Sequence, residues 1–245
     1  MIVSHRHRYV FVHIPKTGGT SLTLALEARV GRDDIILSDT PKGRNRRRRV
    51  RDVKARGRLW KHSTLADIEG LVPAEMLAGY LVFTMVRNPW ARAVSYYHWL
   101  RAQKFKHASV TLAKTLEFGT FLRHPLTRRQ LAVPARRYLT GPAGERPGLY
   151  LRLEHLEADL PALESHLGFG LRPLPHENRS GPEQGRDWRA AYDDEGAALL
   201  GEARGRGHRP FRLSLRSRLT PASPGAMLGV EVQPCWKSVP KRSRM

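Results

Sequence analysis

The chain has 245 residues, 40% of them hydrophobic, which is enough for one α/β domain with a sizeable core and too few for two comfortable ones. Its one cysteine, Cys235, excludes an internal disulfide framework and fits a reducing compartment. Neither a signal peptide nor a run of about 20 apolar residues is visible, so a soluble cytoplasmic protein is expected. The formal charge of +21 leaves nucleic acid, anionic membrane and acidic small molecules or polysaccharides all open as partners.

In chain order, Tyr9 to Ile14 is β-rich and almost wholly apolar, as a buried parallel strand should be. Pro15 to Gly19 must turn, and Thr20 to Glu27 reads as a helix. Asp34 to Leu37 is expected to form a short strand. From Lys42 to Arg58 the chain is dominated by arginine and lysine against Asp52 alone, without apolar periodicity, and reads as a solvated, partly disordered inserted loop. Ser63 is expected to cap a helix through Leu71 that turns Leu65, Ile68 and Leu71 to one face. Tyr80 to Val86 is a second strand. Asn88 and Pro89 then supply an N-cap and a first-turn proline for a helix to about Arg101. Phe118 to Leu122 and Leu131 to Leu139 suggest further helical pieces. Leu149 to Leu153 reads as a third strand, and Glu154 to Leu167 as a helix that must accommodate Pro161. Strands alternating with helices predict a three-layer α/β fold, with a central, mainly parallel sheet and ligands at the carboxyl ends of its strands.

Two segments carry chemistry. In Pro15-Lys16-Thr17-Gly18-Gly19-Thr20-Ser21 the adjacent glycines let backbone approach an anion. The N–H groups at the helix start point at it, and the hydroxyls of Thr17, Thr20 and Ser21 add donors. Lys16 stands before the glycines, unlike the Walker pattern, in which lysine directly precedes the hydroxyl, and a Gly-x-Gly-x-x-Gly dinucleotide signature is absent. A bare strand-to-helix turn would not need a lysine and three hydroxyls. The second segment, Arg87-Asn88-Pro89-Trp90-Ala91-Arg92-Ala93-Val94-Ser95, places Arg87 at a strand end and Ser95 two turns into the next helix, where both could reach one anion. Alone, such a pair is usually a surface charge and a polar filler; the first loop reverses that reading. No metal-ligand spacing is visible.

Phe11 to Ser21 resembles the 5′-phosphosulfate loop of the sulfotransferase family, and Val86 to Tyr96 its 3′-phosphate motif. The branch it is most similar to is that of carbohydrate sulfotransferases related to the heparan sulfate 2-O-enzymes and their bacterial relatives. The resemblance implies a P-loop-like fold, 3′-phosphoadenosine 5′-phosphosulfate (PAPS) as donor, a hydroxylated and carbohydrate acceptor, and no metal. It also implies that Lys16 stabilises the leaving group, that Lys16, Thr17, Gly18, Gly19, Thr20, Ser21, Arg87 and Ser95 bind the donor, and that His62 is the general base. Asn178 or Arg179 would then contact the nucleotide. A basic nucleic-acid-binding protein and a P-loop kinase or triphosphatase stay as alternatives.

Relatives of this kind end in Asp-Ile-x-x-Phe-Gly-Tyr, which is missing here. Gly207 to Leu213, written in suitable synonymous codons, reads one base later as Asp-Ile-Ala-Leu-Phe-Gly-Tyr. A frame shift near Gly201 is therefore expected, making 201–245 a disordered basic tail behind a domain of residues 1–200.

Overall fold

The structure, a computed structural model, describes residues 1–146, 148–175 and 187–205, and the side chains of these up to residue 201. Asn178, Arg179 and the expectations for residues 206–245 lie outside the described residues.

The chain starts with β1 (Ile2–Ser4) and β2 (Tyr9–Val12), an antiparallel pair, then α1 (Gly19–Glu27) and β3 (Ile35–Ile36). After α2 (Pro41–Arg46), a 3-10 turn and α3 (Ala74–Ala78) come β4 (Leu81–Val86) and α4 (Pro89–Arg101). Four short helices follow: α5 (Ala108–Thr115), α6 (Phe118–Arg123), α7 (Pro125–Leu131) and α8 (Ala135–Tyr138). A small hairpin of β5 (Thr140–Gly141) and β6 (Gly144–Glu145) leads to β7 (Leu149–Arg152), α9 (Leu156–Leu167) and α10 (Asp194–Gly205). The main sheet has the order β3-β1-β2-β4-β7. β2 pairs parallel with β4 and β4 with β7, while β1 runs antiparallel to both its neighbours. Four of the five strands therefore share one direction, the mixed α/β arrangement expected.

Period-two alternation divides the core. Phe11, Phe83, Met85 and Leu151 project to one face, against Leu22 and Leu26 of α1 and Leu160, Leu163 and Leu167 of α9. Val10, Val12 and Val82 project to the other, against Leu37, Leu65, Ile68 and Leu139. Fully burying side chains of this size contributes about 1.5–3 kcal/mol each, so strands with two buried faces must be apolar throughout. Beside the sheet, Tyr97 and Leu100 of α4 pack with Val110, Ala113 and Phe121.

Pro161 sits inside α9, where it cannot donate to the Glu157 carbonyl four residues back. Arg172 Nη2 donates to that carbonyl instead, at 2.7 Å, so the helix continues through the proline.

Two expectations need correction. Residues 63–71 form a chain of turns and not a helix. The Ser63 hydroxyl points back, accepting from the Trp60 N–H and donating toward the Arg58 and Trp60 carbonyls. Asp67 closes a turn onto Thr64. Leu65 and Ile68 are buried all the same. The arginine-rich segment is not loose chain: it contains α2, capped by the Thr40 hydroxyl on the Gly43 N–H, and the 3-10 turn Arg47–Val50. Lys42 and Arg46 tie it down through the carbonyls of Glu27, Gly31 and Asp34. The last described helix, α10, spans Asp194–Gly205. β1, Ile-Val-Ser, is too short to carry a strand pattern in the sequence. Its burial depends on pairing with β2 and β3.

Candidate active site

The parallel strands β2 and β4 end side by side, so the loops that leave their carboxyl ends converge. The first holds Lys16 in a left-handed conformation at φ 65°, and Gly18 follows at φ 83°. For lysine this conformation costs on the order of 1 kcal/mol and persists only where the surroundings impose it. Both glycines are sterically required. A Cβ on Gly18 would lie 2.7 Å from Leu153 Cδ1, and one on Gly19 would lie 2.5 Å from His13 Cδ2. Gly18 caps α1 without any side-chain hydrogen bond, so the first-turn N–H groups keep their donors free for an anion.

Lys16 Nζ lies over the Trp99 ring, 5.5 Å from its centroid. Its pKa is lowered to about 8, first by burial and then by the positive charges of Arg87 and Lys61. That mutual repulsion places the two predicted anion-binding cations, from loops about 70 residues apart in sequence, in one field. Arg87 is itself held below the usual arginine range by burial, offset by Glu154. Glu154 also accepts from the Asn88 N–H at 2.8 Å. The guanidinium of Arg87 makes no hydrogen bond to a described residue. Asn88 caps α4 through the N–H groups of Trp90 and Ala91, as expected.

Of the predicted hydroxyls, Thr17 is otherwise engaged. It is buried, and its hydroxyl donates to the Ile14 carbonyl at 2.8 Å, so it shapes the loop and only its backbone N–H can serve a ligand. Thr20 and Ser21 lie half-buried in the first turn of α1, and Ser95 is half-buried on α4. None of the three hydroxyls bonds to a described residue.

His62 arrives from the turn-rich segment. Its Nδ1 is 2.8 Å from the His13 carbonyl oxygen. A carbonyl only accepts, so Nδ1 carries the hydrogen and Nε2 presents a lone pair. Burial is the largest influence on the ring and, despite the opposing hydrogen bond to His13, its pKa falls to about 4. At neutral pH it is an uncharged ring with a defined tautomer, ready to accept a proton. His13 packs edge-to-face against His62 at 4.8 Å and stacks on Phe11. Burial also holds its pKa well below the ordinary value, and its ring supports both His62 and Gly19. Lys61 pairs with Asp39 at 2.7 Å, and Asp39 also receives Arg47 at 3.3 Å.

Sequence reasoning passed over Arg92, whose Nε donates to the Pro15 carbonyl at 2.9 Å, as well as Glu154 and Trp99. Arg92 stood within a motif but carried no distinguishing signal. Its role depends on a partner 77 residues away. Among the described residues no group of three or more His, Cys, Asp or Glu side chains could hold a metal ion, and no helix is long and apolar enough to cross a membrane.

The arrangement gathers the partly buried cations Lys16 and Arg87 and free N–H groups at neighbouring strand ends, with a neutral histidine on the adjoining segment. It can hold an anionic group and, next to it, take a proton from a neutral acid. Comparison with curated protein sequences gives no match. Among solved structures the chain is similar to mouse sulfotransferase SULT7A1 complexed with PAP, at 17% sequence identity and a TM-score of 0.32. The similarity covers 82% of this chain and 65% of that one, less than two thirds of the neighbour's length. A model of the sulfotransferase family matches residues 1–180, which span both anion loops and the His62 segment, and the chain belongs to that family.

Proposed function

We propose that this protein transfers a sulfuryl group from PAPS to a hydroxyl of a carbohydrate acceptor. The observation that carries the reading is the meeting of Lys16 and Arg87 at the ends of adjacent parallel strands, each feeling burial and Lys16 feeling the charge of Arg87. Two cations, of which Arg87 alone has a carboxylate, Glu154, acting on it among the described residues, fit a donor with phosphate at both ends. The uncapped start of α1, with room that only glycine leaves, fits the close approach of one of those ends.

PAPS, when bound, supplies a sulfuryl group joined to a phosphate that departs carrying the electron pair of the broken S–O bond. In this reading the first-turn N–H groups with Thr20 and Ser21 hold the 5′ side, and Arg87 and Ser95 hold the 3′-phosphate. Lys16 sets its ammonium against the negative charge that develops on the departing oxygen. His62 accepts the acceptor's hydroxyl proton at Nε2 while the His13 carbonyl fixes the ring through Nδ1. Most of the rate enhancement would come from positioning and charge stabilisation, as in phosphoryl transfer.

An acidic acceptor suits the adjoining surface. Arg44, Arg47, Arg48 and Arg51 line a groove together with Val50, Val53 and Leu59. Asp39 bridges Arg47 of this groove to Lys61, the neighbour of His62. A chain with carboxylate or sulfate groups could lie along it with one hydroxyl at His62.

Calorimetric titration with PAP, combined with transfer of radiolabelled sulfate from PAPS to neutral and acidic glycans, tests this. Micromolar PAP binding and a labelled glycan are the expected results. Folded protein that ignores PAP, while hydrolysing ATP with magnesium or retaining duplex DNA at physiological salt, would establish a different function.

A further inference from the structure

Arg92 stands three residues before Ser95 on α4, and none of the roles above uses it. Its Nε donates to the Pro15 carbonyl, the residue that precedes Lys16, at 2.9 Å. The phenols of Tyr138 and Tyr96 lie beside the same guanidinium. The backbone carbonyl of Tyr138 in turn accepts from the Leu65 N–H at 3.0 Å, three residues beyond His62. A continuous path therefore runs from the Lys16 loop, through one planar guanidinium, to the segment that carries His62.

The electrostatics of this cation are unusual. Burial is the largest influence on Arg92, and the groups that offset it are the phenols Tyr138 and Tyr96, with no carboxylate among them. Arg92 is half-buried, and a guanidinium drawn out of water ordinarily has a carboxylate or an equivalent anion near it, because desolvating a charge is costly. Among the described residues the groups that offset it are neutral phenols. The loop it grips is the one whose free N–H groups await an anion.

We propose that Arg92 is a positioning residue that holds the Lys16 loop and the His62 segment in mutual register, and whose missing counter-charge is the anionic donor. The inference rests on the donor reading above. Arg92 need not touch the donor: it fixes the Pro15 carbonyl and so the left-handed turn at Lys16, while its charge adds to the field at the loop. Lysine cannot replace it, since one ammonium lacks the planar fork that serves a carbonyl and a phenol at once.

The test compares Arg92→Met, Arg92→Lys and Tyr138→Phe with the wild type, reading melting temperature without ligand, the melting shift and affinity with PAP, and kcat for sulfate transfer. For Arg92→Met the unliganded melting temperature should stay level or rise, because an uncompensated cation is gone. Its PAP affinity should weaken about tenfold and its PAP-induced shift shrink correspondingly. Arg92→Lys should recover PAP affinity but not kcat. Tyr138→Phe, which keeps the charge, should bind PAP as the wild type does and lose kcat several-fold. A lower unliganded melting temperature with unchanged PAP affinity in Arg92→Met would reduce the residue to a structural one and overturn the proposal. If Arg92→Met does not fold, a wild-type kcat in Tyr138→Phe overturns it. Wild-type protein that fails to bind PAP overturns the donor reading and this proposal together, whereas wild-type binding matched by Arg92→Met overturns this proposal alone.

Discussion

The Lys16 loop and the His62 segment meet at His13, whose ring abuts Gly19 and whose carbonyl holds His62, but they are built in different ways. The loop is local: strand, turn and helix follow one another within residues 9–27, and its shape comes from Gly18, Gly19 and the Thr17 hydroxyl on the Ile14 carbonyl. The His62 segment has no regular structure of its own. It is suspended from His13, 49 residues away, and through Leu65 from Tyr138. A self-contained loop can present an anion site wherever a parallel strand ends. A suspended histidine takes up its place only when the rest of the domain is folded around it.

Single substitutions should separate the two halves most sharply. Lys16→Met is expected to lower kcat about 10³-fold, the scale of losing one charge-stabilising group in a transition state, and to weaken PAP binding. His62→Gln should lower kcat by about 10² to 10⁴-fold, the range for a general base, while PAP affinity measured by calorimetry stays at the wild-type value. Weakened PAP binding in His62→Gln would mean that the halves are not separable.

The pH profile tests the same division. His62 is protonated below its lowered pKa of about 4, and Lys16 loses its proton above about 8. The kcat/KM for sulfate transfer should therefore rise with pH through about 4, stay level, and fall above about 8. The basic limb should vanish in Lys16→Arg if that variant retains measurable activity. Stability should move with His62 as well. Its folded pKa lies below the ordinary 6.5, so the unfolded chain takes up the proton first, and stability is lost as pH falls from about 6.5 toward about 4.

Gly19→Ala joins the halves by force. The added Cβ would sit 2.5 Å from His13 Cδ2, so either the loop or the ring that supports His62 must shift. A loss of about 2 kcal/mol is expected from overpacking of this kind, visible as a lower melting temperature, together with reduced kcat. The smallest effect belongs to the arginine edge. The Arg47–Asp39 pair is exposed on both sides, so Arg47→Ala should change stability by less than about 1 kcal/mol. Arg47→Glu combined with Arg48→Glu should raise the KM of an acidic acceptor several-fold and leave kcat and PAP affinity alone. An unchanged KM would remove the groove from the acceptor path.

The sequence by itself determined the three parallel strands, the two strand-to-helix loops and the helices α1 and α4. Each rests on neighbours in the chain: apolar runs that suit two buried faces, a glycine pair, and Asn88-Pro89 at a helix start. It also placed His62 among the site candidates, through resemblance and not through any local signal. Tertiary structure alone decided that β1 inserts between β2 and β3, and that Asp34, by accepting from Ser4, His5, Arg6 and Gly31, fastens that edge. It also decided that the arginine run forms α2 and a 3-10 turn, and that residues 63–71 turn instead of coiling. Ser63 could cap a helix ahead of it or satisfy carbonyls behind it, and the sequence offers both. The second wins because Leu65 and Ile68 reach the core only when the backbone is bonded to Tyr138 and turned back on itself. Patterning fixes what must be buried, but the route by which a polar side chain satisfies its hydrogen bonds is set by partners brought close only in the folded chain.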